Sequence, residues 1–365
     1  MGALDNITWK GLSQDLWLKA RRECIPINGL FELTPLCNFR CRMCYVRLDP
    51  ADMVKHGRIR SADEWLDLAR QAMEMGAYGI TLSGGEPLTH PEFEKIYAGL
   101  CDMGLLVTVL TNGSLIDEKI IRLFSEHLPD RVRITLYGAS NETYERLCGV
   151  HGGFDRVMQS IEMLDAANIP FSFSFTETTE NVADVDAVKQ IAQRYDVPII
   201  AAEDLNPAVR GATSEAEILR VAPEDRPIFE GDGSYRLVEH DETTLKAAKE
   251  GLLTGLFSQC RAYRTYFFVD WNGFMENCGT FSYCRSEPFK VGFRAAWEDM
   301  LHRLSTLEEP QKCVSCPDRG FCRACPGRRC AETGMPDGIP MRYCAEARQQ
   351  HLMYTRYTSN VEVKE

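Results

Sequence analysis

Within eight residues, Cys37-Asn38-Phe39-Arg40-Cys41-Arg42-Met43-Cys44, three cysteines follow the pattern C-x3-C-x2-C. Three thiolates so spaced can hold three irons of a cubane and leave the fourth iron open to an external ligand. A zinc ion with a fourth ligand from elsewhere, or three packed and inert thiols, are other uses of such a triplet. A second set lies near the C-terminus: Cys260, Gly273 and Cys278 in the pattern C-x12-G-x4-C, then Cys313-x2-Cys316-x5-Cys322-x2-Cys325-x4-Cys330, and finally Cys344. Read as two zinc-binding pairs, Cys313 to Cys325 is cramped. Such pairs are usually joined by a loop of about 15 to 20 residues, and here only five intervene.

The chain has 15 cysteines among 365 residues, and no basic stretch followed by an apolar one opens it. The expected setting is a reducing cytoplasm, where clustered thiols point to metal and not to disulfides. No run of about 18 apolar residues is present, so no membrane span is expected. Fifty-three acids against 41 bases leave a net charge of −12. That charge repels a phosphate backbone, and nucleic acid is not expected as a partner.

The elements that must position the triplet are legible as alternation. Runs rich in β-branched and aromatic residues at Gly29–Leu33, Tyr78–Leu82, Leu105–Thr111, Arg131–Tyr137, Ile169–Thr176 and Val197–Ala202 alternate with segments of helical period. One such helix opens with Ser61-Ala62-Asp63-Glu64, a capping box, and carries apolar residues through Ala72 to a stop at Gly76. Others are expected at Pro91–Met103, Leu115–His127, Phe154–Ala167 and Val185–Tyr195, with Cys101 on a helix face in the core. The repeat of about 27 residues from the second strand onward suits βα units, either in a partial barrel or in an open doubly wound sheet. After residue 205 the pattern lapses into a Pro-, Gly- and acid-rich stretch, with a further helix expected over Leu245–Leu256. The expected division is an N-terminal segment 1–28, a barrel 29–215, a linker with a helix 216–256, a cysteine-rich domain 257–350 and a polar tail 351–365.

The cysteine triplet after the first strand, Ser83-Gly84-Gly85-Glu86-Pro87 after the second, Thr111-Asn112-Gly113 at the third and Thr135-Leu136-Tyr137-Gly138 at the fourth together resemble the radical S-adenosylmethionine (SAM) superfamily. The resemblance spans about residues 29–205 and implies an α/β fold, a partial (β/α)6 TIM-like barrel. It implies that Cys37, Cys41 and Cys44 bind a [4Fe–4S] cluster whose open iron chelates SAM. It further implies that Gly84, Gly85, Glu86 and Pro87 approach SAM, with Asn112, Thr135 and Tyr45 as further cofactor contacts. Glycines there let backbone carbonyls come close to an ammonium. The residue before the third cysteine, commonly aromatic in this superfamily, is Met43, with Tyr45 just beyond it.

The C-terminal set resembles the SPASM extension, which carries two auxiliary [4Fe–4S] clusters. The resemblance implies that Cys313, Cys316, Cys322 and Cys344 serve one cluster. Cys260 and Cys278 with either Cys325 or Cys330 serve the other, where an open iron is an option. Relatives cleave SAM with an electron from a flavodoxin- or ferredoxin-type donor and abstract a hydrogen atom from their substrate. A peptide-modifying maturase is the expected function. A sulfatase-maturing enzyme, a radical dehydrogenase of a small molecule such as a sugar, and a non-catalytic zinc protein are the alternatives. Only about 28 residues precede the first strand, too few for a peptide-recognition domain of their own. Sulfatase-maturing relatives usually have an acid directly after the ligand corresponding to Cys278, and here that residue is Gly279. Asp270 and Glu276 are expected as solvated strand-edge or turn residues.

Overall fold

The structure is a computed structural model that describes residues 9–202, 204–222, 250, 255–258, 260 and 262–362. Most of the helix expected over Leu245–Leu256, and most of the linker 216–256, lie outside the described residues. Six strands follow the expected order: β1 (Asn28–Glu32), β2 (Gly79–Ser83), β3 (Leu106–Thr111), β4 (Arg131–Leu136), β5 (Phe171–Thr176) and β6 (Ile199–Ala202). Each pairs in parallel with the next. The alternation of strand and helix thus produced a parallel sheet, and the fold is a partial TIM-like barrel.

The sheet does not stop there. β7 (Tyr266–Val269) pairs in parallel with the other side of β1, and β8 (Met275–Glu276) turns back antiparallel to β7. The order across the sheet is β6-β5-β4-β3-β2-β1-β7-β8. The contact between β1 and β7 is close because Gly29 has no side chain: a Cβ there would stand 2.1 Å from the Phe267 ring. Phe31 then packs on Trp65 with ring centroids 4.7 Å apart. Trp65 meets Phe289 edge-on at 5.4 Å. The cysteine-rich part is therefore joined to the barrel through shared sheet and shared aromatic core.

Helices Ala62–Glu74, Phe93–Asp102, Glu118–Glu126, Gly153–Ala166 and Val185–Arg194 cover the outer face. Each presents an apolar stripe to alternate strand residues such as Ile80, Leu82, Val107, Val109, Val132 and Ile134. Trp9–Glu23 and Asn141–Cys148 are further helices. The expected capping box forms: the Ser61 hydroxyl accepts from the Glu64 amide at 3.3 Å, and the Glu64 carboxylate accepts from the Ser61 amide at 2.9 Å. Ser61→Ala removes the partner of one otherwise unpaired amide and is expected to cost about 1 kcal/mol. Urea unfolding that shifts by less than about 0.3 kcal/mol, against the usual 0.5 to 2 kcal/mol for caps, contradicts it.

Candidate cluster and cofactor sites

The loop carrying the triplet starts directly after β1 and lies at the C-terminal ends of the parallel strands. It is held from two sides. The Arg40 and Arg42 amides donate to the carbonyls of Cys148 and Leu147. The Gly85 and Glu86 amides donate to the carbonyls of Thr34 and Leu36 at 2.7 and 2.9 Å. The two glycines therefore have a packing reason. A Cβ on Gly84 would sit 2.6 Å from the Thr34 carbonyl oxygen, and one on Gly85 only 2.4 Å from that of Leu36. Only glycine lets the β2 turn lie flat against the Thr34–Leu36 segment that leads into Cys37.

Between these loops is a cavity of about 320 Å³. Cys37, Cys41 and Cys44 line it, with Gly84, Gly85, Asn112, Thr135 and Tyr45. The structure thus brings together all three thiols and five of the seven expected cofactor contacts. Glu86 and Pro87 do not reach it. The Glu86 carboxylate turns inward, fully buried, and accepts from the Thr111 hydroxyl at 2.8 Å and the amides of Asn112 and Leu88 at 2.7 and 3.2 Å. It ties the β2 turn to the end of β3, and burial, opposed by those donors, raises its pKa to about 7. Pro87 opens the short turn Pro87–Thr89 beside it. Asn112 is oriented by the same tie: its side-chain amide donates to Asn38 at 2.9 Å and lies 3.8 Å from the Cys37 sulfur.

Sequence reasoning missed the far wall of the cavity, Thr176 and Asp204, Leu205 and Asn206. They sit at and beyond the ends of β5 and β6, and their position at strand C-termini was the available signal. Asp204 is held by Arg328, by Arg342 at 2.9 Å and by the Tyr343 hydroxyl at 3.1 Å. Burial disfavours its charge, but these arginines overcome that and keep its carboxyl below the usual range.

The thiols suit a cluster. The Cys41 thiol is raised first by its hydrogen bond to the buried Cys148 and then by burial, while Cys37 and Cys44 are raised first by burial. Thiols so placed ionise readily only when a cation offsets the lost hydration. Among the described residues no three Cys, His, Asp or Glu side chains converge on a single ion position. Cysteines around a cavity instead suit a cubane, whose ligands each bind a different iron.

The C-terminal cysteines sort into two groups. Cys313, Cys316, Cys322 and Cys344 line one small cavity of about 60 Å³. Arg329, almost fully buried, donates to the Cys313 sulfur at 3.4 Å. Cys260, Cys278 and Cys325 form the other group. Burial pushes the Cys278 thiol up to about 12, and the nearby Cys325 and Cys260 push in the same direction. The Cys260 thiol is raised by burial and then by Cys325. Cys330 is elsewhere: the charges acting on it are Glu276 and Arg285, and it in turn acts on the buried Cys284.

Asp270 and Glu276, expected in solvent, are 1% and 0% exposed. The β7–β8 hairpin folds them inward against β1, where Glu32 is also buried. Arg285 pairs with Glu276 at 2.6 Å, and Arg210 with Glu32 at 2.7 Å. Burial outweighs these partners and raises Glu32 and Glu276 each to about 7. Gly279 is a glycine for lack of room, since a Cβ would stand 2.9 Å from the Phe268 ring.

The family model for the Radical SAM superfamily matches residues 31–191. Over 329 residues the chain is 26% identical to the AdoMet-dependent heme synthase of Methanosarcina barkeri, an alignment covering 83% of this chain and 92% of that protein. The fold is that of Streptococcus suis SuiB bound to its precursor peptide SuiA, with a TM-score of 0.64 at 15% identity, over 94% of this chain and 84% of SuiB. It is equally that of anSMEcpe with bound AdoMet, with a TM-score of 0.62 at 17% identity, over 93% and 99% of the two chains. Among the described residues no helix is long and apolar enough to cross a membrane. The triplet lining a cavity at the strand ends and the match over residues 31–191 lead to one conclusion: the chain is an enzyme that carries a radical SAM domain, followed by a cysteine-rich C-terminal region that fits a SPASM-like domain.

Proposed function

We propose that this enzyme oxidises a peptide substrate by SAM-derived radical chemistry. Cys37, Cys41 and Cys44 hold the [4Fe–4S] cluster. Gly84, Gly85, Asn112, Thr135 and Tyr45 flank SAM in the cavity, and the wall Thr176, Asp204 and Asn206 is left to the substrate. When bound, the cluster and SAM supply one-electron cleavage and a carbon-centred hydrogen-atom acceptor. The protein's own work is to bind, orient and exclude water. Cys313, Cys316, Cys322 and Cys344 hold one auxiliary cluster, and Cys260, Cys278 and Cys325 supply three ligands to another. A flavodoxin- or ferredoxin-type protein is the proposed electron donor.

The observation that carries this reading is the common cavity: three thiols on one side, backbone and polar side chains on the others, at a volume typical of small-ligand sites. A peptide is favoured because the fold matches, over nearly the whole chain, that of an enzyme crystallised with its precursor peptide. Glycine at 279 speaks against sulfatase maturation. A second reading, a heme-type substrate, is favoured by the long alignment with the heme synthase.

The test is anaerobic incubation with SAM and reductant, followed by mass spectrometry of three substrates: a short peptide encoded beside this chain, a peptide with a sulfatase Cys or Ser motif, and an iron porphyrin carrying propionates. Loss of two hydrogens from the first alone supports the peptide reading. Formylglycine in the second, or oxidation of the porphyrin, replaces it.

A further inference from the structure

Arg210 stands in the segment that leaves β6 and whose Asp204, Leu205 and Asn206 line the cavity. Its backbone is left-handed, with φ +52°, and that of Gly211 follows at φ +85°. A non-glycine residue seldom keeps that conformation unless its surroundings impose it. The surroundings here are the triplet loop. The Val209 amide donates to the Tyr45 carbonyl at 2.9 Å, and the Glu215 amide to that of Arg42 at 2.8 Å. The Arg42 guanidinium closes back on the Glu215 carboxylate at 2.6 Å.

From this anchored backbone the Arg210 side chain runs inward and is only 4% exposed. One terminal nitrogen donates to Glu32 at 2.7 Å, and the other to the Gly279 carbonyl at 2.9 Å, with Glu276 at 4.0 Å. The guanidinium lies 5.3 Å from the centre of the Phe268 ring. One residue is thus fastened by its backbone neighbours beside Cys41 and Cys44, and by its side chain to the residue after Cys278. A planar fork can serve a carboxylate and a carbonyl in fixed directions at once, which an ammonium cannot.

We propose that Arg210 is a positioning residue that sets the Cys278 loop in register with the Cys37–Cys44 loop. The proposal rests on the reading of both loops as cluster-binding. It goes beyond that reading by assigning their mutual placement to one side chain from a segment that carries no ligand. A simple brace for the buried Glu32 is the competing role, and it needs only a positive charge.

The experiment uses the full chain, reconstituted anaerobically and reduced with dithionite, with SAM as the only added ligand. Arg210→Lys keeps the charge opposite Glu32 but loses the fork. The double variant Glu32→Leu/Arg210→Leu removes both buried charges together and so avoids stranding one of them. In both, iron content, the melting transition and the SAM-induced change in the EPR signal of the triplet cluster are expected to persist. The auxiliary-cluster EPR signal is expected to change, and the amides of residues 277–281 to exchange about tenfold faster, because the loop opens locally once its carbonyl is released. Unchanged auxiliary EPR and exchange in folded, iron-replete variants overturn the proposal, as does loss of the melting transition in both, which makes Arg210 a general brace. Cys278→Ala with the iron content of the unsubstituted chain overturns instead the reading of the Cys278 loop, and the two failures are told apart by that control.

Discussion

With Cys37, Cys41 and Cys44 all replaced by Ala, SAM cleavage is expected to vanish, iron to fall by about four atoms per chain and the C-terminal iron to remain. The three thiols line a cavity that none of the C-terminal cysteines enters. The C-terminal groups are held by contacts of their own, including Arg329 on Cys313 and the side-chain amide of Asn277, 3.7 Å from the Cys260 sulfur. Losing the triplet therefore leaves those contacts in place. Iron assay and chromatography of 5′-deoxyadenosine check both halves. SAM cleavage by the triple variant, or loss of all its iron, would contradict the assignment.

The second large effect separates two cysteines that the spacing left equivalent. Cys325→Ala is expected to lose about four irons and all product while still cleaving SAM without coupling. Cys330→Ala is expected to keep its iron. The reason is geometric. Cys325 occupies the N-cap position of the helix Pro326–Thr333, two residues before Gly327, where a Cβ would stand 3.0 Å from the Cys278 sulfur. Cys330 lies inside that helix, five residues further along. The charges acting on its thiol are those of Glu276 and Arg285, whereas Cys325 acts on both Cys260 and Cys278. Equal iron loss in the two variants, or loss in Cys330→Ala alone, would reverse the assignment.

What could be read without coordinates was local. Strand and helix order in the barrel follows from short-range periodicity and caps, because each βα unit buries its own stripe against the strand beside it. The cysteine triplet and the two glycines are likewise local: eight residues and one turn hold their own chemistry, wherever the rest of the chain goes. Gly84 and Gly85 proved to be needed for close backbone approach, as their residue type suggested, although the backbone they approach is that of Thr34–Leu36.

What only the tertiary structure decided depends on partners distant in the chain. Asp270 and Glu276 look like hairpin polar residues until β7 pairs with β1, Arg285 arrives beside both and Arg210 comes within 4.0 Å of Glu276. A charge can be buried when a partner is present, and nothing within a few residues of it reveals that partner. Glu86 has the composition of a ligand-facing acid, yet three donors from its own turn and the end of β3 draw it inward. Asp204 and Asn206 join the cavity only because β6 ends beside it. Cys325 and Cys330 differ in their surroundings, because Cys325 comes near Cys260 and Cys278, which lie 47 or more residues earlier in the chain. Spacing along the chain determined which residues could bind iron. Long-range packing decided which of them share a site, because ligand sets are fixed by distances in space.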